Sequence, residues 1–177
     1  MDTETPITVA AAGYPSLDQA LQDHESLWRA GQEGTFHHSA LAVLVQRSDG
    51  TFRIEREDNS ARSLIWGDAL LVGTLFVLLP RVSQRMLSLT EPDGRSAIVR
   101  HFHRHIGLDD LVTAAGLLDS SRFGLVAVVV NRTRAQVTSQ LGHADRAHAV
   151  DLTWGDLENG LRGDLIAPFT EIVVVTT

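Results

Sequence analysis

Apolar residues recur at two different spacings in the first third of the chain. Ile7–Tyr14 (ITVAAAGY) is a continuous, mainly apolar run of strand length, which predicts a buried strand. Ser16 can cap a helix that follows, because Gln19 stands three residues further on, as a capping box requires. The apolar face predicted for this helix comprises Leu17, Ala20, Leu21, His24, Leu27 and Trp28.

A β-hairpin is predicted next. Ser39–Arg47 is rich in apolar and β-branched residues, and Asp49-Gly50 is a strong signal for a two-residue turn. The return strand, Thr51–Glu57, alternates apolar and charged residues, with Phe52 and Ile54 on its apolar side. This alternation is typical of an antiparallel strand that has one face in water.

Helical and strand patterns return after residue 105. Leu108–Leu118 is predicted to be a helix, because its apolar residues share one face and Asp109 and Asp110 suit its N-terminal end. Gly124–Val130 (GLVAVVV) is predicted to be a fully buried strand. The later predictions are a helix that starts with a capping box at Thr133 and Gln136, a strand at Arg146–Leu152, a helix that starts at Thr153 and Asp156, and a strand at Glu171–Thr177.

The order of these elements predicts an α+β protein of the ferredoxin-like class. Strand, helix, hairpin, insert, helix and strand follow one another, as in the split β-α-β fold. Two similar helix–strand units indicate either a duplication or a coincidence of two amphipathic units. We expect one domain, 1–177, with an apolar helical insert at about 64–105 and an extra C-terminal helix and strand. Residues 6–57 form its first part, 58–105 an apolar and basic insert, and 106–177 the second half and tail.

The segment Leu64–Leu79 (LIWGDALLVGTLFVLL) is almost wholly apolar, with Asp68 as its one charge. As a helix it would be about 24 Å long, which is short of a hydrocarbon core of roughly 30 Å. A membrane crossing is therefore disfavoured, while burial within the domain and burial between subunits stay open. A ferredoxin-like sheet offers one face to its helices, and an all-apolar helix must be covered on every side, which favours a homo-oligomer. The predicted interface residues are Gly67, Leu71, Gly73, Thr74 and Leu78.

The motifs after the first helix resemble, in their order, a bacterial family of unknown function. Its members are described as predicted membrane proteins and carry a ferredoxin-like domain with a glycine-rich apolar insert. The matching motifs, within about residues 6–165, are the Asp49-Gly50 hairpin, WGDALLVGTLFVLLP, IGLDDL, FGLVAVVV and AHAVDLTWGDLENGL. The apolar stretch of the insert, Leu64–Leu79, is shorter than in the family and contains only Gly67 and Gly73, and EIVVVTT has no counterpart in the family. The resemblance implies the fold and a stress or envelope role, but no activity and no catalytic residue.

The amino-acid composition limits the kinds of molecule that the chain is expected to bind. The net charge of −7 argues against a broad nucleic-acid surface. The chain has no cysteine, which excludes disulfides, thiolate metal sites and cysteine nucleophiles. Arginines cluster in the Arg81–Arg104 region, where they could contact an anionic membrane surface. The N-terminus lacks the basic part of a secretory signal, so a cytoplasmic location is expected, with peripheral membrane association as the alternative.

Three histidines alternate in the sequence HFHRH. On a strand, His101, His103 and His105 would face one side, and three imidazoles can bind zinc, copper or nickel. A solvated polar linker explains the same spacing, because no HExxH context accompanies it. We therefore expect no cofactor, with a divalent transition metal at these residues as the alternative. Neither a phosphate-binding glycine loop nor a GxSxG elbow is present, and no catalytic residue is predicted.

The remaining histidines are expected to be structural. His24 lies on the apolar face of the first helix and is predicted to be a core residue with its hydrogen bonds satisfied. His37 and His38 lead into a strand. His143 and His148 flank a loop and have no evident partner in the sequence.

Together these observations favour a non-enzymatic α+β domain that self-assembles. The first alternative is a metal- or small-ligand-binding module that uses histidine. The second is a ferredoxin-like-fold enzyme, such as an oxygenase or a haem protein, although a fold alone carries little information about function.

Overall fold

The computed structural model describes residue 4 and residues 6–60, 108–133 and 136–153. The elements in these ranges are strand β1 (Pro6–Tyr14), helix α1 (Leu17–Gln32), strand β2 (His38–Gln46), strand β3 (Phe52–Asn59), helix α2 (Leu108–Asp119), strand β4 (Phe123–Val130), a 3₁₀ helix (Val137–Gln140) and strand β5 (Arg146–Thr153). They match the predicted elements, except that the helix expected from Thr133 is the short 3₁₀ helix. The apolar insert and the extra C-terminal helix and strand lie outside the described residues.

The five strands form one antiparallel sheet in the order β3-β2-β4-β1-β5. The chain is thus an α+β protein, and the sheet is compatible with the ferredoxin-like class, because one strand lies between β1 and β2. That strand is β4, whereas the predicted order would place the hairpin's return strand there. The reason is polarity: β4 is buried on both faces from Gly124 to Val130, while β3 alternates charged residues and suits an edge.

The two α-helices of the described residues pack on opposite sides of this sheet. On the first side, termed the α1 side, α1 and the 3₁₀ helix cover a core that includes Tyr14, Leu27, Phe36, Leu41, Val43, Leu125 and Val137. On the second, termed the α2 side, α2 packs mainly against β1 and β5. The expectation that only one face of the sheet receives helices is therefore wrong.

Helix α1 begins as its sequence predicts. The Ser16 hydroxyl oxygen accepts a hydrogen bond from the backbone nitrogen of Gln19 at 3.3 Å, and its hydroxyl group donates to Oε1 of Gln19 at 3.1 Å. These contacts satisfy a free N–H of the first turn and hold the chain where it enters the helix. The helix ends at Gln32, and Gly34 continues the chain with a φ of 85°, a conformation that favours glycine.

Two glycines bring α2 close to the sheet backbone. Gly13 on β1 and Gly124 on β4 are direct register partners and face the α2 side. A Cβ at Gly13 would lie 2.9 Å from Cβ of Ser121, and one at Gly124 would lie 2.7 Å from Cδ2 of Leu118. The C-terminal end of α2 therefore packs where side chains on the sheet would block it.

Candidate functional site

The residues that the sequence predicts for a metal site or an interface lie outside the described residues. They are His101, His103 and His105, then Gly67, Leu71, Gly73, Thr74 and Leu78, and the Arg81–Arg104 region. Within the described ranges, no three His, Asp or Glu side chains are placed to hold a metal ion together. The polar arrangement with the most buried groups in these ranges is built on α1.

Helix α1 carries two adjacent polar residues, Asp23 and His24, on its buried face. Their exposed fractions are only 1% and 0%. Neighbouring side chains on a helix diverge by about 100°, so the two residues have different partners. Asp23 contacts the loop before β5, and His24 approaches β3.

Asp23 accepts hydrogen bonds from both the backbone and the ring of His143. Its Oδ1 lies 2.6 Å from Nδ1 of the imidazole, and its Oδ2 lies 3.0 Å from the backbone nitrogen. An ionised carboxylate can only accept, which assigns the ring proton to Nδ1. The His143 side chain is 47% exposed, and Nε2 is the ring nitrogen that Asp23 does not contact.

Tyr14 completes this cluster from the end of β1. Its hydroxyl is buried and lies beside Asp23 without meeting full hydrogen-bond geometry. Burial, followed by the negative charge of Asp23, raises the pKa of Tyr14 far above its ordinary value. The phenol therefore stays neutral and cannot add charge to the site.

The Asp23–His143 pair has one structural effect and one chemical effect. It ties the loop before β5 to α1, because one buried carboxylate holds two N–H groups of the same residue. It also orients the imidazole. A carboxylate that fixes Nδ1–H leaves Nε2 able to accept a hydrogen bond or a proton, or to act as one ligand of a metal.

His24 differs because neither of its ring nitrogens makes a hydrogen bond within the described residues. Nε2 lies 3.6 Å from Oδ2 of Asp58, which instead accepts from Nε of Arg56 at 2.8 Å. Arg56 also donates to Glu25 at 3.1 Å. Burial, then the charge of Arg56, lowers the pKa of His24 to about 4, while Asp58 and Glu25 act in the opposite direction. His24 is thus a core residue as predicted, but a neutral one whose hydrogen bonds are not satisfied.

A third contact between histidine and carboxylate links α2 to β5. Nε2 of His148 lies 3.0 Å from Oδ1 of Asp110 in the first turn of α2. The partners of His143 and His148 could not be predicted from the sequence, because they stand 120 and 38 residues away. One signal was available: Asp23 falls between Ala20 and Leu27 on the apolar face of the helix, where a carboxylate needs a partner.

Comparisons of the chain with protein-family models, curated proteins and solved structures found no match. In the described part of the chain, no helix is long and apolar enough to span a membrane.

Proposed function

We propose that this chain is a non-enzymatic α+β domain that assembles with copies of itself through the α2 side of its sheet. The observation that carries the proposal is the exposure of two large apolar side chains, Ile54 on β3 at 43% and Val112 on α2 at 62%. Ile54 is the register partner of Leu44 and shares its side of the sheet, the side on which α2 packs. Two exposed apolar residues on one side favour a contact there.

The apolar segment Leu64–Leu79 supports the same proposal. It follows β3 closely along the chain, and its only charge is Asp68. A surface that joined it to Ile54 and Val112 would supply the large apolar area that stable self-association requires. The resemblance to proteins with a glycine-rich apolar insert supports a stress or envelope role for such an assembly.

The strand order supports the finer fold proposal, a ferredoxin-like split duplication interrupted by an apolar insert. β4 lies between β1 and β2, and β1 lies between β4 and β5. Two split units therefore interleave, one connected by α1 and the other by the 3₁₀ helix. In such a fold the hairpin strand β3 is an addition at the edge beside β2.

Size-exclusion chromatography with light scattering tests the assembly. At micromolar concentration without detergent, we expect a mass above the 19.3 kDa of one chain. The double variant Ile54→Lys/Val112→Lys should be monomeric, because it places two charges in an apolar contact, each costing on the order of 1–3 kcal/mol. The charge-matched control Gln22→Lys/Gln136→Lys, at exposed sites, should assemble normally. A wild-type chain that is monomeric with and without detergent would refute the proposal.

The geometry of His143 favours a second candidate function, a small-ligand-binding module. Its Nδ1 is held by a buried carboxylate at 2.6 Å, while about half of the side chain is open to solvent. Such a ring presents Nε2 to a ligand that carries a hydrogen-bond donor or a weakly acidic group. Among the described histidines, His143 is the one whose geometry supports binding, while the metal site at His101, His103 and His105 stays a prediction.

Replacing Asp23 by asparagine tests whether the carboxylate orients this ring. We expect the free energy of unfolding to fall by about 1–3 kcal/mol, because the amide offers one acceptor oxygen to two donors. The ring proton should also leave Nδ1, which the nitrogen chemical shifts of His143 would show. Diethyl pyrocarbonate, which attacks an unprotonated ring nitrogen, should then modify Nε2 of His143 more slowly. The control Asp145→Asn, at an exposed carboxyl group, should change neither property; an unchanged His143 tautomer in Asp23→Asn would show that Asp23 does not orient the ring.

A further inference from the structure

Three basic side chains lie at the end of the sheet where β2 begins and β4 ends. They are His37, His38 and Arg132, termed the basic cluster. His38 is the register partner of Val130, and the backbone N–H of His37 donates to the carbonyl of Val130 at 3.0 Å. The two imidazole rings are in edge-to-face contact, with 4.4 Å between their centroids. Consecutive residues of a strand point to opposite sides, so this contact shows that the chain bends at His37, just before β2.

The residues on either side of Arg132 are fixed by hydrogen bonds to neighbouring segments. The side-chain amide of Asn131 donates to Oγ1 of Thr8 on β1 at 3.0 Å. The hydroxyl group of Thr133 donates to the carbonyl of Thr35, in the loop before β2, at 3.0 Å. Arg132 is therefore held close to the two histidines, although its own side chain is exposed. A backbone that is fixed in this way reduces the entropy lost when the cluster binds a ligand.

The charge of the basic cluster decides which ligands suit it. Arg132 is permanently cationic. Burial, then positive charge on His37 and Arg132, lowers the pKa of His38. A bound metal ion would add to this repulsion, although two imidazoles can bind one. An anion would relieve the repulsion and would accept charge-assisted hydrogen bonds from the guanidinium. Because the whole chain carries a net charge of −7, such an anion is attracted by the local cluster and not by the overall field.

We propose that His37, His38 and Arg132 bind an oxyanion of the phosphate type. The planar guanidinium can donate to two oxygens of the anion, and each imidazole can donate an N–H to a further oxygen. Three donor groups suit a tetrahedral anion better than a carboxylate, which has only two oxygens. The exposed cluster can accept the phosphate group of a soluble compound or that of a lipid headgroup. The inference depends neither on self-assembly nor on ligand binding at His143.

A sulfate titration of the full chain tests the site, because sulfate is tetrahedral and keeps the same charge at pH 5.5 and pH 7.5. Sodium chloride holds the ionic strength constant, so that general screening does not change. We expect saturable changes in the imidazole NMR signals of His37 and His38. The affinity should be at least about 3-fold higher at pH 5.5 than at pH 7.5, because the imidazoles gain positive charge. Changes that do not saturate, or that His143 and His148 share, would overturn the proposal.

Substitutions show whether the cluster itself holds the anion. At pH 5.5, Arg132→Gln and His37→Gln should each weaken sulfate binding by at least about 3-fold, because each removes a positively charged donor. Both side chains are exposed, so the variants should fold. The charge-matched control is Arg47→Gln, which lies beyond the other end of β2, roughly 30 Å away, and should bind sulfate like the wild type. Wild-type affinity in Arg132→Gln, or an equal loss in Arg47→Gln, would contradict the proposal.

Vesicle sedimentation distinguishes the two sources of the phosphate group. The vesicles consist of phosphatidylcholine with or without phosphatidic acid, whose headgroup is a phosphate monoester. Sulfate binding together with phosphatidic-acid-dependent sedimentation that Arg132→Gln weakens would assign the site to a lipid headgroup. Sulfate binding without such sedimentation, or with sedimentation that Arg132→Gln leaves unchanged, would assign it to a soluble phosphate compound. Absence of sulfate binding overturns the proposal whatever the vesicles show.

Discussion

Replacing Gly13 by valine is expected to lower the free energy of unfolding by on the order of 3 kcal/mol. A Cβ at this position would lie 2.9 Å from Cβ of Ser121 and 3.1 Å from Cδ2 of Leu117, where the C-terminal end of α2 meets the sheet. Neither neighbour can move away without shifting the helix, because Ser121 is held by its hydrogen bond to the carbonyl of Leu117. Urea unfolding followed by tryptophan fluorescence measures the loss.

Gly116 provides the matched control for this prediction. It lies in the middle of α2, and an added Cβ would have no described residue within 4 Å. Gly116→Ala should therefore raise the free energy of unfolding by about 0.5–1 kcal/mol, the usual gain in helix propensity. If Gly13→Val were as stable as Gly116→Ala, α2 would not pack on the β1 backbone as described.

The elements were predictable because local periodicity encodes them, whereas the order of the strands was not. The apolar run of β4 and the charged alternation of β3 correctly predicted a buried and a half-exposed strand. Neither pattern states which strands are neighbours, because the same hairpin can join a sheet by either of its strands. The two patterns taken together predict the strand order better than either alone. A strand that is buried on both faces belongs in the centre of a sheet, and a charged strand belongs at its edge.

The position of α2 depends on residues that carry little sequence signal. Glycines at positions 13 and 124 read as interruptions of strand patterns, yet their lack of side chains admits α2 to the second side of the sheet. The ferredoxin-like analogy implied one helical side and so favoured an interface between subunits for Leu64–Leu79. The described helices instead cover both sides of the sheet.

The Asp23–His143 site could not be predicted from the sequence for a different reason. Its members stand 120 residues apart, and only the fold brings them within 2.6 Å. The sequence directed attention to His101, His103 and His105 because histidines close in sequence form a visible pattern. A single charged residue on an apolar helix face is a less visible pattern. It nevertheless indicates a polar contact, because a buried carboxylate requires hydrogen-bond donors.

Acid is expected to destabilise this protein through His24. The pKa of His24 is about 4 in the folded chain and about 6.5 in an unfolded one, so the unfolded state binds the proton more readily. The stability that this difference contributes is fully present above about pH 6.5 and is lost as the pH falls towards 4. The loss amounts to on the order of 3 kcal/mol at pH 4, about one fifth to three fifths of a typical domain's stability.

Replacing His24 by leucine should remove this part of the acid sensitivity. Leucine fits a fully buried site whose ring nitrogens make no hydrogen bonds, so stability at pH 7.5 should stay within about 1.5 kcal/mol of the wild type. The difference between the free energies of unfolding at pH 7.5 and pH 4 should shrink by up to about 3 kcal/mol. His37→Gln, at an exposed histidine, should keep the wild-type difference. If His24→Leu and wild type lost the same stability in acid, His24 would be charged in the folded state, and the ring would have to pair with Asp58 at closer range than 3.6 Å.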